Sequence, residues 1–380
     1  MKRILVWGTG NFIETYAAEI KTVFDKKDYE LIAFVDNNPE KIGTSIMGKN
    51  VICPTNVKDL QFDEIVIATA KFSYNVIKKQ ILDELCISEE SIHSFTWIIT
   101  RANDNSERVY PTKDEPKVFD CFPFYNELDI LQFRLELLDP YVDYFVLSEI
   151  PRTHRWEEKP LYFKENRDKF KKYLDKILYV CTEDLPPKPK DMYMNWQLEN
   201  YQRNCITIPL KKKAGSNDIV MVSDVDEIPN PLKLQEIKDN ARMIEEDVYS
   251  FQQDFFYYYF DFCHTVKWNG TYITKYKNLG TPQTWRNICG LLPEIADGGW
   301  HMSYFGGVER IRQKTRSTVD SEDDKLTSDV INQRIRDGKD IFGRKGREFE
   351  IVRKDPRDIG IRNIEEIRGR YPQFFLGGIV

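Results

Sequence analysis

Short apolar runs alternate with segments of helical period along most of this chain, and that alternation confines it to the α/β class before any single residue is weighed. Arg3 to Gly8 reads as a buried strand, Glu14 to Phe24 as an amphipathic helix, and Leu31 to Val35 as a second strand ending at Asp36. Glu64 to Ala70 supplies a third strand. In the helix expected over Asn75 to Leu85, the apolar residues Val76, Ile77, Ile81, Leu82 and Leu85 recur at helical spacing. Residues 1–99 therefore read as a small doubly wound, Rossmann-like domain. Residues 100–116 are polar, carry Pro111 and Pro116 and lack apolar periodicity, as linkers do. A second α/β alternation follows within residues 117–380: strand Lys117 to Phe122, helix Leu128 to Leu138, strands Tyr144 to Glu149 and Ile177 to Val180, a proline-rich loop Pro186 to Pro189, a helix from about Asn195 to Pro209, and strand Ile219 to Ser223. A helical C-terminal region completes it. A length of 380 residues agrees with two folding units rather than one.

The formal charge is −6, with acidic and basic residues interspersed, so no footprint for nucleic acid is present. The run Lys211-Lys212-Lys213 reads as a solvated helix end. The seven cysteines are scattered, odd in number and without a C-x-x-C pair, which argues against a disulfide framework and against structural zinc. A reducing cytoplasm is the expected setting. The N-terminal residues pass directly into a strand pattern and no stretch approaches a membrane span, while peripheral membrane contact stays open. Oligomeric state is not legible.

The strongest local signal is Asp218-Ile-Val-Met-Val-Ser-Asp224-Val-Asp226-Glu227-Ile-Pro229. An apolar strand runs into three carboxylates, and ligands of open α/β sheets gather at the carboxyl ends of strands. In extended geometry Asp224 and Asp226 share a face, so two hard oxygen donors can meet one Mn2+ or Mg2+ that also binds substrate phosphates. Such an ion stabilises a leaving diphosphate. A solvated acidic turn is the competing reading.

Four ordered blocks resemble glycosyltransferase family 17, the bisecting N-acetylglucosaminyltransferase group. They are Val118-Phe-Asp-Cys-Phe-Pro-Phe-Tyr-Asn126-Glu127-Leu-Asp; Val142-Asp-Tyr-Phe-Val-Leu-Ser-Glu149-Ile-Pro-Arg152-Thr-His154; Gln202-Arg203-Asn204 with Val222-Ser-Asp-Val-Asp-Glu-Ile-Pro; and Gly299-Trp300-His301-Met-Ser-Tyr-Phe-Gly306-Gly307. The resemblance covers roughly residues 117 to 316 and implies a GT-A type nucleotide-diphospho-sugar transferase fold. It also implies inversion at the anomeric carbon and a UDP-sugar donor, UDP-N-acetylglucosamine. A saccharide or glycolipid acceptor is expected, since a cytoplasmic enzyme would not share a protein-linked glycan acceptor.

The resemblance makes His301 a third metal ligand, against the bland reading of a structural histidine beside Trp300. Arg310 and Lys314, at i and i+4 if the segment is helical, could pair with diphosphate oxygens, as could Arg203, Arg152 and His154. Asp224, Asn126 and Glu149 complete the expected donor set, Glu149 by accepting from ribose or base. Inversion needs a general base. Asp254, Glu294 and Asp297 are candidates because they lie between the acidic strand and His301; Glu227 is a fourth, although its place beside two metal ligands favours a supporting role. The run Phe255 to Phe260 reads as a core strand whose alternate rings could stack on a sugar.

In the N-terminal domain Gly8-Thr-Gly10-Asn11 follows a strand, and Asp36 closes the next, as in dinucleotide-binding folds, with Ile13 in place of the third glycine. These four residues could hold a nucleotide. A nucleotide-sugar oxidoreductase, or a regulatory nucleotide-binding protein, is the alternative that this half of the chain keeps open.

Overall fold

The structure, a computed structural model, describes the chain except residues 70, 86, 103–114, 191–195, 245–247, 318–325, 347–348 and 378–380. Its fold is mixed α/β in two compact units. The first contains the N-terminal part of the chain together with Lys277–Gly280 and Asn287–Pro293, and the second contains the remainder. Two short pieces of the region expected to form one continuous second domain thus group with the first unit. Most of the expected linker falls on residues outside the described ones.

In the first unit the described strands are β1 (Lys2–Trp7), β2 (Tyr29–Val35), β3 (Ser45–Ile46), β4 (Lys49–Ile52), β5 (Glu64–Ile67) and β6 (Ile92–Ser94), in the sheet order β3-β4-β2-β1-β5-β6. All neighbours pair in parallel except β3 with β4. The central strand explains the continuous apolar run: Ile4, Leu5, Val6 and Trp7 are fully buried because layers cover both faces of a parallel sheet. The helix expected over Glu14 to Phe24 is two helices, Asn11–Thr15 and Ala17–Phe24, with Tyr16 between them at ψ 27°.

The second unit is built on ten described strands. Four of them, β7 (Val118–Pro123), β8 (Tyr144–Glu149), β9 (Ile177–Cys181) and β10 (Ile219–Val222), form a parallel block in the order β10-β7-β8-β9. On the far side of β10 lie β14 (Tyr272–Lys275), β12 (Tyr249–Tyr257), β15 (Glu294–Ser303) and β11 (Glu227–Pro229); β13 (Tyr259–His264) pairs with β12 and with β16 (Ile351–Arg353). The aromatic run Phe255 to Phe260 is therefore not one strand. It crosses the β12–β13 hairpin, where Tyr258 turns the chain at φ 70°. The single helix expected up to Pro209 is likewise two, Gln197–Asn204 and Thr207–Lys213.

The Leu128–Leu138 helix lies where its apolar period predicts, burying Ile130, Leu131, Phe133, Leu135 and Leu138, and it also buries Arg134. After β11 the chain enters the Pro231–Asp239 helix, whose first turn is fixed by Asn230 accepting from the Leu232 N–H and by proline at the first helical position. The acidic segment is thereby pinned between a central strand and a capped helix.

Strand β15 brings two remote parts of the sequence together. It pairs antiparallel with β11, setting Glu227 opposite His301, and parallel with β12, setting Phe255 opposite His301. Gly299 makes that approach feasible: it has φ 126°, and a Cβ there would overlap the Ile228 carbonyl oxygen. Gly299→Ala should therefore lower stability by about 1–3 kcal/mol or more in urea denaturation. Gly10→Ala, at φ −85° with nothing within 4 Å of the new methyl, should shift it by under about 0.5 kcal/mol. Equal effects from the two would contradict this account.

Candidate functional site

The acidic segment is not extended where its aspartates lie. β10 ends at Val222 and β11 begins at Glu227, with a turn through Val225 and Asp226 between them. The turn is wound around one buried guanidinium. Arg134 Nη1 donates to the carbonyl oxygens of Asp224 (2.9 Å), Val225 (3.1 Å) and Glu227 (2.9 Å). Nε and Nη2 clamp Asp120 at 2.7 and 2.6 Å, and Nη2 also reaches Ser223 Oγ. Both side chains of this pair are fully buried. Three carbonyls converging on one nitrogen fix the backbone of the turn, and hence where its side chains point.

Because a turn replaces the strand, the shared face expected for Asp224 and Asp226 is lost, and the two carboxylates meet different partners. Asp224 Oδ1 receives Arg203 Nη2 and Oδ2 receives Arg286 Nη2, each at 2.7 Å. Burial pushes the Asp224 carboxyl up, but Arg286 and Arg203 outweigh it and hold it well below the usual carboxylate range. Asp226 Oδ2 instead lies 2.7 Å from Lys314 Nζ, and Oδ1 lies 3.7 Å from His301 Nε2. Burial drives the Lys314 ammonium down, and Asp226 and Glu127 more than reverse this.

Glu227 ties the two halves together from a fully buried position. Its Oε1 accepts from Trp268 Nε1 at 2.7 Å, and its Oε2 accepts from Arg286 Nη1 at 2.8 Å and from the Asp224 N–H at 3.0 Å. Gly270 leaves the room for this junction, since a Cβ there would collide with Glu227, Trp268 and Arg286. His301 is sandwiched by aromatic rings, stacked on Phe255 at 4.7 Å and tilted against Trp268 at 4.6 Å. Burial holds its imidazole below the ordinary histidine pKa, against the pull of Asp226 and Glu227.

The described residues hold no group of three or more His, Cys, Asp or Glu side chains placed for a metal ion, so the triad of Asp224, Asp226 and His301 is not assembled. Asp224 is excluded from it by its two arginines. Asp226 and His301 remain as a carboxylate and an imidazole side by side. The ring nitrogen facing Asp226 is Nε2, while the other, Nδ1, is buried without a hydrogen-bond partner. That donor pair fits a divalent ion completed by phosphate oxygens and water rather than caged by protein.

A family model for glycosyltransferase family 17 matches residues 102–352, which includes every side chain named in this site. The chain belongs to glycosyltransferase family 17. A second model, the C2185-like N-terminal family, matches residues 1–93. Among curated proteins, the beta-1,4-mannosyl-glycoprotein 4-beta-N-acetylglucosaminyltransferases of Rattus norvegicus and Homo sapiens are each 29% identical over 128 residues, 32% of this chain. Those matches span only 23% and 24% of the two relatives' own length. The solved structure of UDP-D-quinovosamine 4-dehydrogenase from Vibrio fischeri aligns with 24% of this chain and 75% of its own at 23% identity, with a TM-score of 0.20, too low to establish a shared fold.

The other residues picked out from the sequence of this family 17 chain divide into those at the site and those away from it. Arg152 and His154 line a cavity of about 80 Å³ with Tyr125, Lys159 and Lys314. Arg310 and Asn126 border a smaller space beside Asp226 and Lys314. Arg203 is 1% exposed and bonded to Asp224, Glu199 and Gln283, so it positions Asp224 rather than facing a ligand. Glu149 has no exposed surface. It accepts from Tyr179 Oη and the Phe163 N–H and faces Lys159, so the expected contact to ribose or base is replaced by a role in closing the loop after β8.

None of the candidate bases stands free beside the aspartates. Asp254 is ion-paired to Lys267 and Lys354, and it alternates along β12 with Phe255, the residue that meets His301. Glu294 and Asp297 are exposed, seven and four positions before His301 on β15, and Asp297 sits in a bulge of that strand at φ 55°. Glu227 has its oxygens occupied. In the first unit, Asp36 accepts from the Thr9 N–H and hydroxyl and faces Lys41, which fastens the Gly8–Gly10 turn to β2 rather than leaving a carboxylate free for ribose. Asn11 opens the short Asn11–Thr15 helix.

Removing one member of the buried pair strands the other charge. Arg134→Met should cost about 3–5 kcal/mol in urea denaturation, and the double variant with Asp120→Asn should lose less than the two singles added together. Strict additivity would show that the pair is not coupled.

Proposed function

We propose that this chain transfers N-acetylglucosamine from UDP-N-acetylglucosamine to a saccharide or glycolipid acceptor, with inversion, on a GT-A type core. The observation that carries the reading is the meeting of Asp226, His301 and Lys314 at the carboxyl end of β10, inside the region matched by the family model. The names of the curated relatives support the sugar. Their short overlap leaves the acceptor to be argued from this chain.

The donor's diphosphate would lie against Lys314 in the cavity of about 80 Å³. That cavity shares Tyr125, Thr153, Lys159 and Ser317 with an open cleft of about 710 Å³, a size suited to a nucleotide. A divalent ion, Mn2+ or Mg2+, would be held by Asp226 and His301 and would supply neutralisation of the leaving diphosphate. The remaining work belongs to the protein. Arg134 and Glu227 keep the turn fixed, so that charges aimed at the leaving group need no rearrangement as it departs. Arg203 and Arg286 hold Asp224 ionised at the rim, where its side chain is 32% exposed and can accept from sugar hydroxyls.

The test is transfer or slow hydrolysis of UDP-N-acetylglucosamine measured by UDP release. Activity should depend on added Mn2+ and fall at least about 100-fold in Asp226→Ala. Full activity in that variant would overturn the site.

A further inference from the structure

Lys314 already neutralises the aspartate that would hold the metal. Its ammonium is 2.7 Å from Asp226 Oδ2, and His301 Nε2 is 3.7 Å from the other oxygen of the same carboxylate. A divalent ion on Asp226 and His301 would therefore lie within a few ångström of an ammonium, and like charges at that range repel strongly in a site shielded from water. The two cations would compete for one carboxylate.

The lysine has somewhere to go. Its side chain borders two spaces that share Glu127: the small one beside Asn126, Asp226 and Arg310, and the cavity of about 80 Å³ lined by Tyr125, Arg152, His154 and Lys159. It is 30% exposed and stands in the last turn of the Gly307–Ser317 helix, on a flexible four-carbon stem. The second space is lined by the cations Arg152, Lys159 and Lys314 and by one carboxylate, Glu127; Lys159 also faces the fully buried Glu149, and Arg152 pairs with the exposed Glu158. Its cations outnumber its one carboxylate, which favours an anion there.

We infer that Lys314 exchanges partners during the reaction cycle, neutralising Asp226 in the metal-free site and turning to the donor's diphosphate once a divalent ion takes Asp226. The inference rests on the metal-bound reading of Asp226 and His301. It makes Lys314 a competitor of the metal and, in the same stroke, the element that couples metal binding to nucleotide binding. A group with both roles gives a pair of effects opposite in sign, which neither a simple phosphate ligand nor a simple structural ion pair would produce.

The experiment measures Mn2+ binding to the full chain by electron paramagnetic resonance, and UDP binding at saturating Mn2+ by calorimetry, in the wild type, Lys314→Gln, Lys314→Arg and Asp226→Ala. With the competing charge removed, Lys314→Gln should bind Mn2+ alone about tenfold more tightly, yet bind UDP about tenfold more weakly. Lys314→Arg should return the Mn2+ affinity towards the wild-type value. Unchanged or weaker Mn2+ binding in Lys314→Gln, or unchanged UDP binding, overturns the exchange while leaving the metal site standing. Wild-type Mn2+ affinity in Asp226→Ala would remove the metal site itself, and the exchange with it.

Discussion

Arg134 is the contact on which the rest of the site depends. A guanidinium has five N–H donors in a rigid plane, and here all of its nitrogens are engaged: two by Asp120, one of these also by Ser223, and the third by three carbonyls of a single turn. A lysine could not reproduce this, because an ammonium lacks the fork that grips a carboxylate while a separate nitrogen gathers a backbone. The strand Val118–Pro123, the helix Leu128–Leu138 and the acidic turn are thus joined by one buried charge pair. The direction of every functional side chain on that turn follows from it.

A second layer of fixation comes from Glu227. It has no exposed surface, yet it reaches Trp268, Arg286 and the backbone of Asp224. Arg286 in turn reaches Asp224. The carboxylates of the acidic triplet therefore have three separate duties: Asp224 is held between two arginines, Asp226 faces an ammonium and an imidazole, and Glu227 braces the neighbours of both. Electrostatics at such a site is arranged before a ligand arrives, which is what a reaction that expels a highly charged leaving group requires.

Much of this was legible in the sequence, and the limits have physical reasons. Strands with continuous apolar runs and the helix Leu128–Leu138 were readable because period and burial agree there. The acidic triplet was readable as a site because it closes such a strand. What period could not show was the turn at Val225 and Asp226, since it is imposed by Arg134, a residue 90 positions or more earlier whose only local signal is a charge in an otherwise apolar helix. Trp268, Arg286 and Lys159 were missed for a related reason: each reaches the site from a loop or a short helix with no pattern of its own. The candidate bases Asp254, Glu294 and Asp297 follow only from order along the chain, and order says nothing about which face of a strand a side chain occupies. The aromatic run failed for the opposite reason, because uniform composition hid the hairpin at Tyr258.

The register of β15 carries a further implication. His301 faces Asp226 only because Glu227 and His301 are opposite one another in the β11 ladder, while Trp300 and Met302, its immediate neighbours, point into the hydrophobic core. Pleated strands allow no intermediate positions: slipping by one residue would exchange imidazole for indole or thioether at the site and drive a polar ring into the core. Relatives that diverge in this segment are thus free to vary its side chains but not its length, and homologous stretches here should differ by substitution, with insertions and deletions displaced into the loops on either side.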